Sequence, residues 1–184
     1  ERLRALVERG RRYETRLQLL QQVAGSLART LDEDEILVEL ARAVRRAVAC
    51  EGVMVARVDL DRALVEVIHH GVGDAVLAPR VAPLGAGPLG EAARSGTPVH
   101  VAAYDPDRSP LAAADDVLGE GVTAGSVLAV PVMHGRRLLG VVALHDPREE
   151  AFDREAREVT AMIARHAAGA LSNARLFAES ERER

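Results

Sequence analysis

The sequence contains no lysine; all 24 of its basic residues are arginine. Without a lysine amine there is neither Schiff-base chemistry nor a phosphate-gripping P-loop lysine. Tryptophan is also absent, and Tyr13, Tyr104, Phe152 and Phe177 are the whole aromatic complement, so there is no stacking platform for single-stranded nucleic acid. One cysteine, Cys50, excludes an internal disulfide and any multi-cysteine metal site, and fits a reduced, cytoplasmic setting. The formal charge is −4 and the pI about 5.9. Nucleic-acid binders carry a basic excess or a basic face, so no direct nucleic-acid partner is expected. No apolar run reaches the ~18 residues that span a bilayer, and no signal-peptide pattern opens the chain. No membrane contact is expected from this segment.

What is present is a chain of 184 residues, 48% hydrophobic, enough for one domain with a core plus some extended helix. It starts at Glu1, and both ends are charged and helix-like, which reads as a segment of a larger signalling protein. Leu3, Leu6, Gly10, Tyr13, Leu17, Leu20, Ala24, Leu27 and Leu31 recur at alternating steps of three and four. That is a heptad seam of about four heptads, the pattern of a coiled coil. Residues 1–31 are therefore read as a coiled-coil signalling helix, with Leu6, Tyr13, Leu17, Leu20 and Leu27 at a homodimer interface. Asp32 and Glu35 have the spacing of a capping box, and Ile36, Leu37, Leu40, Ala41, Val44, Ala47 and Val48 form one apolar helix face.

Strands follow. Val53 to Val58 and Leu64 to His70 read as a hairpin, Gly71 to Pro79 as a loop, and Val81 to Leu84 as a short strand. Gly87 to Arg94 reads as a short helix stopped by Ser95-Gly96. Pro98 to Val101 is a strand, and Ala102 to Gly125 a long irregular segment. Ser126 to Val132 and Leu138 to His145 form a second hairpin. Asp153 caps a last long helix, whose Ala156, Val159, Ile163, Ala167, Ala170 and Phe177 are expected to face inward. Ala170 and Phe177 are also placed in the dimer interface. The plan is α+β: an antiparallel sheet with terminal helices on one face and the 102–125 segment covering the other. The domain proper is read as 32–177, and 178–184 as the start of a linker helix.

This order, with Leu84-Gly-Ala-Gly-Pro-Leu-Gly-Glu-Ala-Ala-Arg-Ser-Gly-Thr-Pro-Val99, Ser126-Val-Leu-Ala-Val-Pro-Val132, Leu138-Leu-Gly-Val-Val-Ala-Leu144 and the closing Phe152-Asp-Arg-Glu to Asn173-Ala-Arg-Leu-Phe177, resembles the GAF domain family. It is similar in tone to the GAF domains of PucR-like transcription regulators and sensor histidine kinases. The resemblance implies a sensory module that dimerises through its terminal helices and passes a signal to a fused effector.

Gly85-Ala-Gly-Pro-Leu-Gly90 formally matches the dinucleotide fingerprint, with Asp105 twenty residues beyond Gly85. A dinucleotide site, however, needs a preceding parallel strand and free backbone N–H groups, and Pro88 removes one of them. His69 and His70 alternate across a strand end and cannot share a metal ion. Glu66 precedes them on the same strand, and His70 is placed to point at a pocket mouth. The 102–125 segment has no histidine for haem and no cysteine for a bilin. Cys50 reads as a small buried apolar residue.

The stretch Tyr104-Asp-Pro-Asp-Arg-Ser-Pro110 supplies a phenol, carboxylates and a guanidinium at the start of the covering segment. A ligand pocket needs an apolar lining with a few convergent polar groups. The expected ligand set is His70, Tyr104, Asp105, Arg108, Leu111, Leu118, Val122, Ser126 and Leu128, with Val130 beside Leu128 on the sheet wall. The function expected is that of a regulatory domain taking up a small organic ligand, with no resident cofactor or metal and no catalysis of its own. A ligand-free structural dimerisation module and a methionine sulfoxide reductase-like enzyme are the alternatives.

Overall fold

The structure, a computed structural model, describes residues 2–27, 29–105, 118 and 123–184. Helix α1 (Arg2–Leu27) leads into α2 (Glu33–Ala47), and seven strands follow: β1 (Gly52–Asp59), β2 (Leu64–Val72), β3 (Ala75–Leu77), β4 (Arg80–Pro83), β5 (Val99–Val101), β6 (Ser126–His134) and β7 (Arg137–Asp146). Helix α3 (Gly87–Ser95) lies between β4 and β5, and α4 (Arg154–Arg182) closes the chain. The sheet runs β3-β2-β1-β7-β6-β5, with β4 pairing the other half of β2, and every pairing is antiparallel. This is the α+β plan expected, with two differences of detail. The 71–79 loop contains β3, and each main strand runs one or two residues longer than its apolar stretch.

The seam of α1 ends earlier than its spacing suggests. The helix stops at Leu27, and Leu31 sits exposed in the turn. Thr30 and Asp32 break the helix there by bonding to backbone. The Asp32 carboxylate accepts from the N–H groups of Asp34 and Glu35 at 2.9 and 3.0 Å, the cap that the spacing called for. The capping box is only half made, because Glu35 accepts from the Thr30 hydroxyl instead of the Asp32 amide. Asp153 caps α4, accepting from Ala156 N–H at 2.8 Å.

The sheet separates two apolar layers. One holds Leu37, Leu40 and Val44 of α2, Ile163, Ala167 and Leu171 of α4, and Val23 and Leu27 at the end of α1. Leu27, expected at the dimer interface, is 2% exposed and packed in this core of its own chain. The seam turns inward once α1 reaches the domain. Ala170 is half-buried against the same core. Phe177, expected inward, is 52% exposed, and Leu171 and Ala174 take the inward face instead. Leu6, Tyr13 and Leu17 are exposed along α1; the side chain of Leu20 lies outside the described residues. Among the described residues, no helix is long and apolar enough to cross a membrane.

The second layer lies on the other sheet face, under α3. It contains Met54, Val65, Val67, Leu89, Tyr104, Leu118 and Val127, and eight of its sixteen described buried members are alanine.

Candidate functional site

Strand parity decides which side chains reach the second layer. In β6, Val127 and Ala129 point into it, while Leu128, Val130 and Val132 point to the helices. Leu128 and Val130, expected to wall a pocket, are therefore on the wrong face for it. Ser126 has their parity. Its hydroxyl donates to Arg148 O at 2.8 Å and accepts from Ala151 N–H at 3.3 Å, so it anchors the turn before α4 rather than a ligand. Tyr104 and Leu118 do belong to the second layer, buried at 5% and 2% exposure, and Tyr104 N–H donates to Gly125 O at 2.7 Å. Asp105 is on the surface beside them. Arg108, Leu111 and Val122 lie outside the described residues.

His70 is on the expected face, by a route that spacing did not show. The β1–β2 register slips between Val55 and Ala56, which pair with His69 and Val67, leaving Ile68 as the bulged residue. A bulge reverses alternation along the rest of a strand. Glu66 consequently faces the helix layer and pairs with Arg57 at 2.9 Å, while His70 faces the second layer, fully buried.

His70 meets His145 there. The two Nε2 atoms are 2.7 Å apart, with ring planes nearly perpendicular. The residues flank Gly52, which pairs with His145 on one side and lies two residues before Met54, the partner of His70, on the other. A Cβ on Gly52 would lie 2.2 Å from His145 Nε2. The missing side chain is the space the imidazoles occupy. Behind them, Arg80 of β4 places Nη2 2.8 Å from His70 Nδ1 and donates to Leu118 O at 3.2 Å.

These contacts assign the protons. Arginine only donates, so His70 Nδ1 accepts and carries no hydrogen. His70 Nε2–H then donates to His145 Nε2, and the hydrogen of His145 is left on Nδ1. That Nδ1 is buried without a partner, and so is Arg80 Nε. The third such atom among the described residues, His100 Nε2, belongs to the edge strand β5. Burial, the neighbouring imidazole and Arg80 push His70 down to about 3; burial, first of all, takes His145 down to about 4. Both rings are neutral at neutral pH. Arg80 and His145 were not among the residues singled out from sequence, because their neighbours in space are far along the chain.

An open groove of about 660 Å³ lies elsewhere, between α2, the β1–β2 turn and the end of α4. Three of its arginines are paired: Arg57 with Asp34 and Glu66, Arg137 with Glu179, and Arg175 with Glu33. No group of three or more metal-ligating side chains occurs among the described residues. The Gly85–Gly90 loop satisfies itself, since Gly85 N–H donates to Gly90 O at 3.0 Å. A side chain at Gly90 would press on Pro83 O and Gly85 N. Because β4 is antiparallel to β2, the setting of a dinucleotide site is missing.

The family profile of the GAF domain matches residues 32–171. The chain belongs to the GAF domain family. Its fold is that of a free methionine-R-sulfoxide reductase from Neisseria meningitidis solved with its substrate, at 22% identity and TM-score 0.71 over 88% of this chain and 90% of that one. It is similarly close to the GAF domain of an Acinetobacter phosphoenolpyruvate-protein phosphotransferase, at 16% identity and TM-score 0.67 over 90% and 98%. A segment of a methyl-accepting chemotaxis protein matches at 17% identity and TM-score 0.70 over 84% and 98%. No curated protein matches in sequence.

Proposed function

We propose that this GAF domain is a sensory module that takes up a small organic ligand on the α3 side of its sheet. The observation that carries the reading is the Arg80–His70–His145 chain. It ends in buried donors that nothing in the described protein satisfies. A buried polar group without a partner costs on the order of 1–3 kcal/mol, and a protein retains such groups where a ligand or ordered water completes them. Around them the layer is built largely of small side chains, with eight alanines among its sixteen described buried members.

The terminal helices are the route by which occupancy reaches a fused effector, a transcriptional regulator or a kinase in the cytoplasm. Leu6, Tyr13 and Leu17 on α1 and Phe177 on α4 leave apolar surface exposed, and a second copy of the chain would cover it. We do not assign catalysis to Cys50. Burial pushes its thiol up to about 11, and it packs on the helix side of the sheet. A cysteine nucleophile needs a lowered pKa, so the likeness to a sulfoxide reductase is taken as one of fold.

The test is a thermal-shift screen of small metabolites. A ligand at a hundredfold excess over its Kd stabilises the folded state by about 2.7 kcal/mol. A binder whose shift disappears in a His70→Ala variant supports the reading. No shift with any compound favours a ligand-free dimerisation module. Turnover of methionine sulfoxide that is lost in Cys50→Ser would establish the enzyme instead.

A further inference from the structure

Arg80 carries a charge that no carboxylate among the described residues balances. Arg57 and Arg175, also half-buried, are each held by carboxylates. Among the described residues Arg80 has no ion-pair partner, and its hydrogen bonds run from Nη2 to His70 and to the Leu118 carbonyl. Its Nε–H is shut off from solvent and unpaired. The imidazoles cannot help. His70 already accepts from the guanidinium, and it hands its own proton toward His145. The pair therefore orients Arg80 and leaves its charge whole. Both Nη2 hydrogens are taken by His70 and by Leu118 O, so Nε–H is the donor left to meet a carboxylate oxygen, and a charge-assisted hydrogen bond of that kind is a strong one. A single positive charge balances a single negative one. A dianion such as phosphate would bring excess charge into a layer whose other walls are Met54, Val67, Ala82 and Leu118, and burying unpaired charge is costly.

We propose that Arg80 is the recognition point for a small monocarboxylic acid, its carboxylate accepting from Nε–H and its apolar part lying against the alanine-rich layer. This rests on the ligand-binding reading above and names the class of ligand. His70 is a positioning residue. It fixes the guanidinium through Nδ1, and its own protonation state is held by His145. Leu118 O shares the same guanidinium, so an acid bound there touches the group that ties residue 118 to the sheet.

The experiment pairs acids with their amides on the unaltered 184-residue chain. Benzoate, phenylacetate, pyruvate and 3-methylbutanoate are each titrated beside the corresponding carboxamide, with inorganic phosphate as a separate arm. Calorimetry measures affinity, and the arginine Nε–H region of the ¹H–¹⁵N spectrum reports on Arg80. The expected result is that at least one acid binds about a hundredfold more tightly than its amide, since a site built for a hydrogen-bonded group rejects the analogue lacking it. The Arg80 Nε–H resonance should move on binding. Arg80→Gln should lose at least about tenfold in affinity for that acid, and Arg80→Lys less, because lysine keeps the charge. If Arg80→Gln does not fold, the acid-to-amide ratio and the Nε–H resonance of the unaltered chain decide alone. Equal binding of acid and amide, binding of phosphate only, acid binding that ignores Arg80, or a neutral ligand from the metabolite screen with no acid bound would each overturn this inference. The first, third and fourth leave the ligand-binding reading standing, whereas phosphate alone counts against an organic ligand as well. No binding by any acid, amide or screened metabolite overturns both.

Discussion

His70 and His145 meet Nε2 to Nε2 at 2.7 Å across strand β1, in the space that Gly52 leaves open. The contact is buried completely on both sides. It joins the second and the last strands of the sheet, residues that are 75 positions apart in the chain.

Acid should weaken this fold earlier than carboxylate titration alone would. Both imidazoles are held below the ordinary value of 6.5, His70 at about 3 and His145 at about 4. Between those values and 6.5 the unfolded chain takes up protons that the folded chain refuses. The stabilisation is complete above about pH 6.5 and is lost as the pH falls toward 4, at up to about 1.4 kcal/mol per pH unit for each histidine. Asp146 is held below its ordinary 3.8 by Arg148, so its own contribution is lost at lower pH. Urea unfolding at pH 7.5, 6 and 5 measures the slope. A His70→Gln/His145→Gln double variant should flatten it, and an unchanged slope would refute the assignment.

Gly52→Ala should destabilise the domain by about 2–3 kcal/mol, because the new methyl group occupies the place of the His145 ring and also meets Gly71 O at 3.0 Å. Gly10→Ala in α1 is the contrast. Nothing lies within 4 Å of its added Cβ, and removing a glycine from a helix interior stabilises it by about 1 kcal/mol. Thermal unfolding of both variants gives the comparison; the same sign in both would contradict the geometry.

The two ends of α1 should behave differently. Leu27→Ala is expected to cost about 3 kcal/mol of fold stability and leave association unchanged. Tyr13→Arg and Leu17→Arg should do the reverse, weakening self-association with little effect on stability, since those side chains are exposed within one chain. Sedimentation equilibrium beside denaturation separates the two effects. An unaltered chain that stays monomeric at high concentration would remove the dimer from the proposed function.

Helix α4 is tied to the rest of the domain by Arg175. Its Nε donates to Glu33 of α2 at 2.8 Å and its Nη2 to Leu139 O of β7 at 3.1 Å. Arg175→Ala should cost about 2–3 kcal/mol, more than Glu33→Gln, because a carboxylate and a backbone carbonyl both lose their donor. Both side chains are shielded, at 17% and 29% exposure, so the effect should persist in 0.5 M salt, where surface pairs are screened. Denaturation with and without salt tests this, and a difference abolished by salt would place the pair at the surface.

Much of the architecture follows from short-range rules that can be read along the chain. Asp32 and Asp153 cap helices because a carboxylate two or three residues from free N–H groups can reach them. The two hairpins and α2 follow from local apolar periodicity. Which face of β6 meets which layer does not. The strand is buried on both sides from Ser126 to Val132, so no apolar–polar alternation marks its inner face, and Leu128 was placed on the wrong one. At His70 one bulged residue reversed the alternation. Most of all, the Arg80–His70–His145 chain depends on antiparallel pairing that brings β1, β2, β4 and β7 together at one point. No local pattern encodes that meeting. It arises when the sheet closes around Gly52, and it turns three scattered polar residues into one buried, unfinished set of hydrogen bonds.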